Sequence, residues 1–390
     1  MSQHPSDDPE RPFFATAAKG TEGVLRKELV ELGIPRVKAT RGGVYFGCER
    51  AGDGSSVLLT SALRASLYSR IAVRVLVRQA SFEALDAEAL YAGVRAVPWE
   101  RVLDAGRTLA VDAHIRDSAV TSSAFAAQRA KDAIVDRLRD LNGARPDVDR
   151  RDPDVSVVLH WIGDRATVLL DVAGGSLHAR GYRSEAGTAP LRETLAAAVV
   201  RLSEWDGCTP LIDPLCGSGT LAIEAAQWAC AIAPGLSRAR LGCERWASHD
   251  AAERRLLAEL REEARARARP ASQAPPIFAA DDDERMLAIA RRNAQRAGVV
   301  VAFARSDARR LERAHERACV LTNPPYGERL VTTRSFHDEL AAAFRRLHGY
   351  RVCVLCGDRA LPRAMRTRPV IEHALWNGPL QCRLLAWEVD

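Results

Sequence analysis

Asp213-Pro-Leu-Cys-Gly-Ser-Gly-Thr220 and Asn323-Pro-Pro-Tyr326 are the two stretches whose reading decides the fold. The first follows an apolar run, Thr209 to Ile212, and precedes a helical pattern from about Ser218 to Ile232. It therefore reads as a glycine-rich turn between a buried strand and a helix. Gly217 and Gly219 lack Cβ atoms, so the backbone there can turn tightly and approach a ligand. The turn is neither G-x-G-x-x-G nor a P-loop, because no Gly-Lys-Ser/Thr follows. The second stretch leaves another apolar strand, Ala318 to Thr322, and ends in a rigid polar corner with an aromatic at its tip. Average residue usage puts a chance Asn-Pro-Pro-Tyr in a chain this long at roughly one in a hundred or rarer. The pair is therefore informative about chemistry.

Working outward, the alternation of strands and helices from about Pro190 onward predicts a parallel sheet with helices on both faces. The next strand, Pro276–Ala280, ends in Asp281-Asp282-Asp283 and leads into the helix Glu284–Ala297. Strand Val299–Ala304 leads to Asp307. The earlier part reads differently. Strand Phe13–Ala17 and helix Thr21 to Leu32 come first, with Gly33 and Pro35 ending the helix. A helix near Ser56–Leu67 precedes an alternating strand, Arg70 to Arg78. Leu109–Ile115 is a strand and Ser122–Leu141 a helix. The helix has Phe125, Ile134, Val135 and Leu138 on its apolar side and Arg129, Lys131, Arg137 and Arg139 on the other. Val155–Trp161 and Ala166–Val172 form a hairpin around Gly163-Asp164. This order predicts a mixed α+β region up to about Val172. A Gly-, Ser- and Arg-rich boundary, 173–189, follows, and then an α/β domain over 190–390. Ala251–Ala268 reads as a helix with a solvated Arg/Glu face.

Composition bounds the class. The 390 residues are 47% hydrophobic and 27% charged, which suits a soluble globular protein of two or three domains. Apolar runs such as Thr194–Val200 are far too short to cross a membrane. Residues 1–12 are polar and acidic, so a disordered tail is expected there rather than a signal peptide. Nine cysteines without framework spacing indicate a reducing compartment, and a cytoplasmic location is expected. In a strand, Cys353 and Cys356 face opposite sides and cannot share a metal, so no metal site is expected. The net charge of +6 permits nucleic-acid binding without demanding it.

In this order, the glycine turn and the Asn-Pro-Pro-Tyr corner resemble motifs I and IV of class I S-adenosylmethionine-dependent methyltransferases that modify exocyclic amino groups. The resemblance implies S-adenosylmethionine as cofactor, bound by Asp213, Gly217, Ser218 and Gly219. The helix N-terminus that follows would meet the methionyl carboxylate. An acidic residue ending the second strand can accept both ribose hydroxyls; strand alignment favours Asp281, with Asp282 close behind, and Asp283 suits a helix cap. Asp307 fits a cap as well as an acceptor for the adenine amino group. Its place in the series favours the latter. The Asn323 side-chain carbonyl and the Pro324 backbone carbonyl can each accept a hydrogen of a substrate amino group, turning the nitrogen lone pair toward the methyl group. Tyr326 can stack on an extruded base.

Over nearly its whole length the chain resembles the THUMP-domain guanine-N2 methyltransferases of 23S ribosomal RNA, the large-subunit methyltransferase K/L family. The matching segments are Phe14–Gly20, Lys131–Asp136, Arg145–Asp149, Leu177–Arg183, Ala189–Leu195, Asp213–Thr220 and Asn323–Arg329. The resemblance implies a ferredoxin-like subdomain (13–55) and a THUMP RNA-binding domain (56–172) before a Rossmann-like methyltransferase domain. It also implies N2-methylguanosine as product and a place for Thr194 on a helix reaching the cofactor site. RNA contacts are expected from Arg129, Lys131, Arg145 and Arg329, and the protein is expected to be a monomer. Fused members carry a second methyltransferase domain making 7-methylguanosine. The chain stops at Asp390, so that activity is expected to be absent. A tRNA guanine-N2 methyltransferase of the same architecture is the alternative. A non-catalytic THUMP assembly factor is the second, and it would be expected to have lost Asn323 or the glycine turn.

Overall fold

The structure, a computed structural model, describes residues 8–48, 59–183, 191–325 and 334–390. Most of the tail read at 1–12, the start of the helix read near Ser56, and the readings at Pro190, Tyr326 and Arg329 lie outside these residues. Two compact units are formed. The first takes the chain up to Thr16, Arg26–Leu177 and Arg238–Glu262; the second takes Ala17–Leu25, His178–Ser237 and Glu263–Asp390.

The chain begins with β1 (Phe13–Thr16), α1 (Glu22–Glu31), β2 (Lys38–Thr40), β3 (Gly43–Phe46), α2 (Thr60–Tyr68), β4 (Arg74–Glu83) and α3 (Ala87–Ala96). It continues through β5 (Thr108–Arg116), α4 (Ser123–Asn142), β6 (Asp147–Val148), β7 (Val155–Ile162) and β8 (Arg165–Asp171). Among the described residues these strands form an eight-stranded sheet in the order β2-β3-β1-β4-β8-β7-β5-β6. β7 and β8 are the expected hairpin, turned by Gly163 at φ 59°. β5 instead runs parallel to β7, which requires the α4 crossover between them. In α4 the Ser122 hydroxyl accepts the Phe125 amide at 3.2 Å, and Gly143 closes the helix at φ 70°. Its buried stripe is Ala126, Ala130, Ala133, Ile134 and Leu138. Phe125, expected on that side, is 48% exposed, because its position in the first turn falls beside the stripe rather than on it. The stretch Arg238–Glu262 is held in this unit by close backbone approach. A Cβ on Gly174 would stand 2.6 Å from the Gly242 Cα, and the Cys243 amide donates to the Val172 carbonyl at 3.1 Å.

The rest of the chain contains α5 (Glu193–Leu202), β9 (Leu211–Asp213), α6 (Thr220–Ala229), α7 (Ala251–Arg267), β10 (Ile277–Asp281), α8 (Glu284–Arg296) and β11 (Ala302–Arg305). After these come β12 (Ala318–Thr322), α9 (Arg334–Arg345), β13 (Tyr350–Cys356), α10 (Ala360–Met365), β14 (Ile371–Asn377) and β15 (Leu380–Val389). α7 buries Leu257, Leu260 and Ala264 and leaves its Arg/Glu face largely in solvent, as expected. The second unit's sheet has the order β11-β10-β9-β12-β13-β15-β14. The first five strands are parallel. β15 runs antiparallel between β13 and β14, so the sheet is mixed rather than wholly parallel. Alternate residues of β13 enter cores on opposite faces: Cys353 and Leu355 on one, Val352, Val354 and Cys356 on the other. The two cysteines are small core residues, as their spacing predicted. Ala17–Leu25 belongs to this unit through Lys19, whose Nζ lies 3.8 Å from the Trp376 ring centroid. Gly20 adds to this: at φ 91°, a Cβ there would meet the Ala374 carbonyl at 2.4 Å.

Candidate active site

The sheet order reverses between β9 and β12, and ligands of open α/β sheets bind beyond the strand ends at such a point. β9 ends at Asp213 and the chain then turns through Gly217 (φ 53°) and Gly219 (φ 84°) into α6. Both angles lie in the left-handed region that favours glycine. At Gly219 a side chain would also approach the Ala290 Cβ at 3.1 Å, whereas a Cβ on Gly217 would meet nothing within 4 Å. The turn therefore packs on α8 on one side and faces open space on the other. Gly219, the N-cap of α6, has no side chain to cap it, so among the described residues the first N–H groups are left for an anionic ligand.

Asp281, ending β10, buttresses this turn. Its Oδ2 accepts the Gly217 amide at 2.8 Å and its Oδ1 the Asp283 amide at 3.1 Å. Burial raises its pKa, and Asp282 and Asp283 add to the rise. Asp213 is almost fully buried. Burial pushes its carboxyl up to about 7, and the charge of Asp281 works in the same direction. The Leu215 amide opposes this rise, and the largest opposing influence is the Thr322 hydroxyl, which donates to Asp213 Oδ1 at 2.8 Å. That bond joins the ends of β9 and β12 and so ties the glycine turn to the Asn-Pro-Pro corner.

Immediately after Thr322, the Asn323 Oδ1 is buried and accepts no hydrogen bond from the described residues. Pro324 is buried beside it. A buried acceptor without a donor costs about 1–3 kcal/mol, which a ligand bringing an N–H would relieve. The open cradle at Gly217, the uncapped helix, the Asp281 acceptor and this orphaned carbonyl fit a cofactor with an anionic amino-acid end and a ribose, next to an amino substrate.

The other expected residues are placed as follows. Ser218 is buried in the turn, with Oγ 3.4 Å from Thr220 Oγ1, and Thr194 is buried in the first turn of α5. Asp282 is exposed and accepts Arg305 Nε only through its backbone carbonyl, while Asp283 caps α8. Asp307 caps the short Ala308–Arg310 turn, and both its oxygens are engaged by Arg309, which holds its carboxyl below the usual range. In the first unit, Arg129 pairs with Glu88 at 2.6 Å and lies over the Tyr91 ring, Lys131 pairs with Asp132, and Arg145 is exposed with no ion pair among the described residues.

Sequence reasoning missed several polar groups behind the turn. Asn293 Nδ2 of α8 donates to the Ser218 carbonyl at 3.0 Å and fixes the turn from below. Arg180 Nη1 donates to Glu224 Oε2 at 2.6 Å, and the Tyr182 hydroxyl donates to Glu224 Oε1 at 2.9 Å, all three being buried. Arg183 Nη2 donates to the Leu191 carbonyl and to Thr220 Oγ1. The Leu177–Arg183 segment was singled out as a unit, but nothing in its spelling names these partners.

Residues 180–386 match the RMKL-like methyltransferase domain, residues 84–171 a THUMP domain and residues 12–76 the RlmL ferredoxin-like domain. The chain is 41% identical over 392 residues to the ribosomal RNA large subunit methyltransferase K/L of Syntrophotalea carbinolica, covering 97% of this chain and 53% of that protein. It spans about half the length of the curated relatives it matches. It is also similar to SMU.472, crystallised in complex with SAH (TM-score 0.85, 30% identity, 97% of this chain and 98% of that one). A predicted N6-adenine-specific DNA methylase from Listeria monocytogenes superposes with a TM-score of 0.84 at 30% identity, over 97% and 96% of the two chains. The resemblance read from the motifs is borne out at the level of fold and family. With the match extending over more than half its length, the chain belongs to the RMKL-like methyltransferase domain family.

Proposed function

We propose that the chain is an RNA methyltransferase that moves a methyl group from S-adenosylmethionine to the exocyclic N2 of a guanine in 23S ribosomal RNA. The observation that carries this reading is the buried Asn323 Oδ1, without a hydrogen-bond partner among the described residues, joined through the chain to Thr322 and so fixed against the Asp213 end of the glycine turn. When bound, S-adenosylmethionine supplies an electrophilic methyl group. The residues supply alignment. Asn323 Oδ1 and the Pro324 carbonyl each accept one hydrogen of the amino group, which directs its lone pair and stabilises the positive charge it acquires. The nitrogen would take the methyl group as the methyl–sulfur bond breaks, the electron pair staying on the departing thioether, and one N–H proton would go to solvent. Asp281 is assigned the ribose hydroxyls and Asp307 the adenine amino group. Tyr326 is assigned stacking on the extruded base.

The THUMP match over residues 84–171 favours RNA over the DNA named for the Listeria relative. RNA contacts are assigned to Arg145 first, since Arg129 and Lys131 already have acidic partners, and to Arg329. We retain the division into a ferredoxin-like piece (13–55), a THUMP domain (56–172) and a methyltransferase domain (190–390), working as a monomer in the cytoplasm. No described helix is long and apolar enough to cross a membrane. Labelled methyl transfer to separated 23S rRNA and tRNA, followed by nucleoside analysis, tests the reading. N2-methylguanosine in rRNA alone is expected. Label in tRNA alone, or in another nucleoside, would overturn it.

A further inference from the structure

Arg183 is a largely buried cation beside the glycine turn. A single nitrogen, Nη2, donates to the Leu191 carbonyl at 2.7 Å and to Thr220 Oγ1 at 2.9 Å. Its Nε lies 3.5 Å from Glu193 Oε1, and only 14% of the side chain is exposed. Leu191 and Glu193 stand at the start of α5, and Thr220 is the first residue of α6, directly after Gly219. One planar guanidinium therefore fixes two helix starts against each other. Arg180 reaches the same face of α6 one turn further on, at Glu224.

The two arginines differ in their charge balance. Arg180 meets Glu224 at hydrogen-bond distance, and the Tyr182 hydroxyl donates to the same carboxylate. Arg183 faces Glu193 at a longer distance and stands beside the positive end of the α6 dipole. A cation at that end of a helix is unfavourable by itself. It becomes favourable once an anion sits on the helix N-terminus, because both fields then act on it.

We propose that Arg183 is a positioning residue for the carboxylate end of S-adenosylmethionine, acting through Thr220 and the Leu191 carbonyl to set the starts of α6 and α5. This rests on the cofactor reading above. Lysine is a poor replacement, since it keeps the charge but loses the planar group that holds Nη2 on both acceptors while Nε faces Glu193.

The test is calorimetry on the full chain, without RNA, using S-adenosylmethionine and its decarboxylated analogue. Arg183→Met should weaken S-adenosylmethionine about tenfold, the scale of one charge-assisted hydrogen bond, and change binding of the analogue by about twofold or less. Thr220→Val, which leaves the guanidinium in place, should show the same selectivity with a smaller loss, and Arg183→Lys should recover only part of the affinity. Should Arg183→Met fail to fold, judged by its thermal midpoint, these two variants carry the same comparison. Equal losses for both ligands, or none for either, would overturn the proposal and leave Arg183 as a scaffold residue. Failure of the parent chain to bind either ligand would instead sink the cofactor reading on which the proposal stands.

Discussion

At the scale of single residues, Asn323 and Thr322 divide the work of one corner. If Asn323 aligns the reacting nitrogen, Asn323→Ala should lower the single-turnover rate by about 10²-fold or more, the cost of removing one preorganised group. Cofactor affinity, measured alongside by calorimetry, should barely change. Near-normal chemistry in that variant would rule out the alignment mechanism. Thr322→Val leaves the buried Asp213 carboxylate without its hydroxyl donor and should destabilise the fold by about 1–3 kcal/mol. Thr322→Ser, which keeps the hydroxyl, should be mild in the same urea titration. Asp213 also sets a pH dependence. The folded chain holds its proton to about pH 7, whereas the unfolded chain releases it near the ordinary value of about 4. The native state thus binds more protons between these limits. The contribution of this group is full below about pH 4, declines as pH rises, and levels above about pH 7. Unfolding free energies of Asp213→Asn and the parent should therefore diverge, in favour of the variant, from pH 4 to 7 and then run parallel. Asp213, Asn323 and the glycines were legible because each sits in a short motif whose spelling implies its chemistry. Thr322, Arg183 and Asn293 were not. Their bonds to Asp213, Thr220 and Ser218 span 109, 37 and 75 residues, and a buried threonine, arginine or asparagine is spelled like an exposed one.

At the scale of elements, the glycine turn is the joint on which the site depends. Gly219→Ala forces a side chain into the left-handed region, at a cost of about 1–2 kcal/mol, and against the Ala290 Cβ. It should lower the thermal midpoint by several degrees and weaken cofactor binding together, whereas the same change in an exposed loop would leave cofactor binding unchanged. The strands and helices carrying the site were readable from periodicity, and β12 matches its expected range, Ala318–Thr322. Two things were not readable. Pairing direction is one: the β15 sequence does not distinguish an antiparallel strand inserted between β13 and β14 from another parallel one. The other is the rotation of a stripe within its first turn, which leaves Phe125 exposed while Ala126 is buried.

At the scale of the whole molecule, RNA affinity should fall steeply as salt rises, since phosphate contacts release counterions. If exposed Arg145 makes one such contact, Arg145→Ala should weaken binding at all sequences and reduce the slope of log affinity against log salt by about 1. An unchanged slope would remove Arg145 from the interface. The exchange of segments between the two units has a separate consequence, for synthesis. Lys19 and Gly20 are made early yet belong with Trp376 and Ala374, and Gly242 is made after the glycine turn yet belongs with Gly174. A chain leaving the ribosome at about 5–20 residues per second therefore cannot finish its first unit before residue 262 or its second before the last strands appear. The early segment must wait unpaired through most of translation. By the same reasoning, no single crossover point separates the two units cleanly, because their segments alternate along the chain.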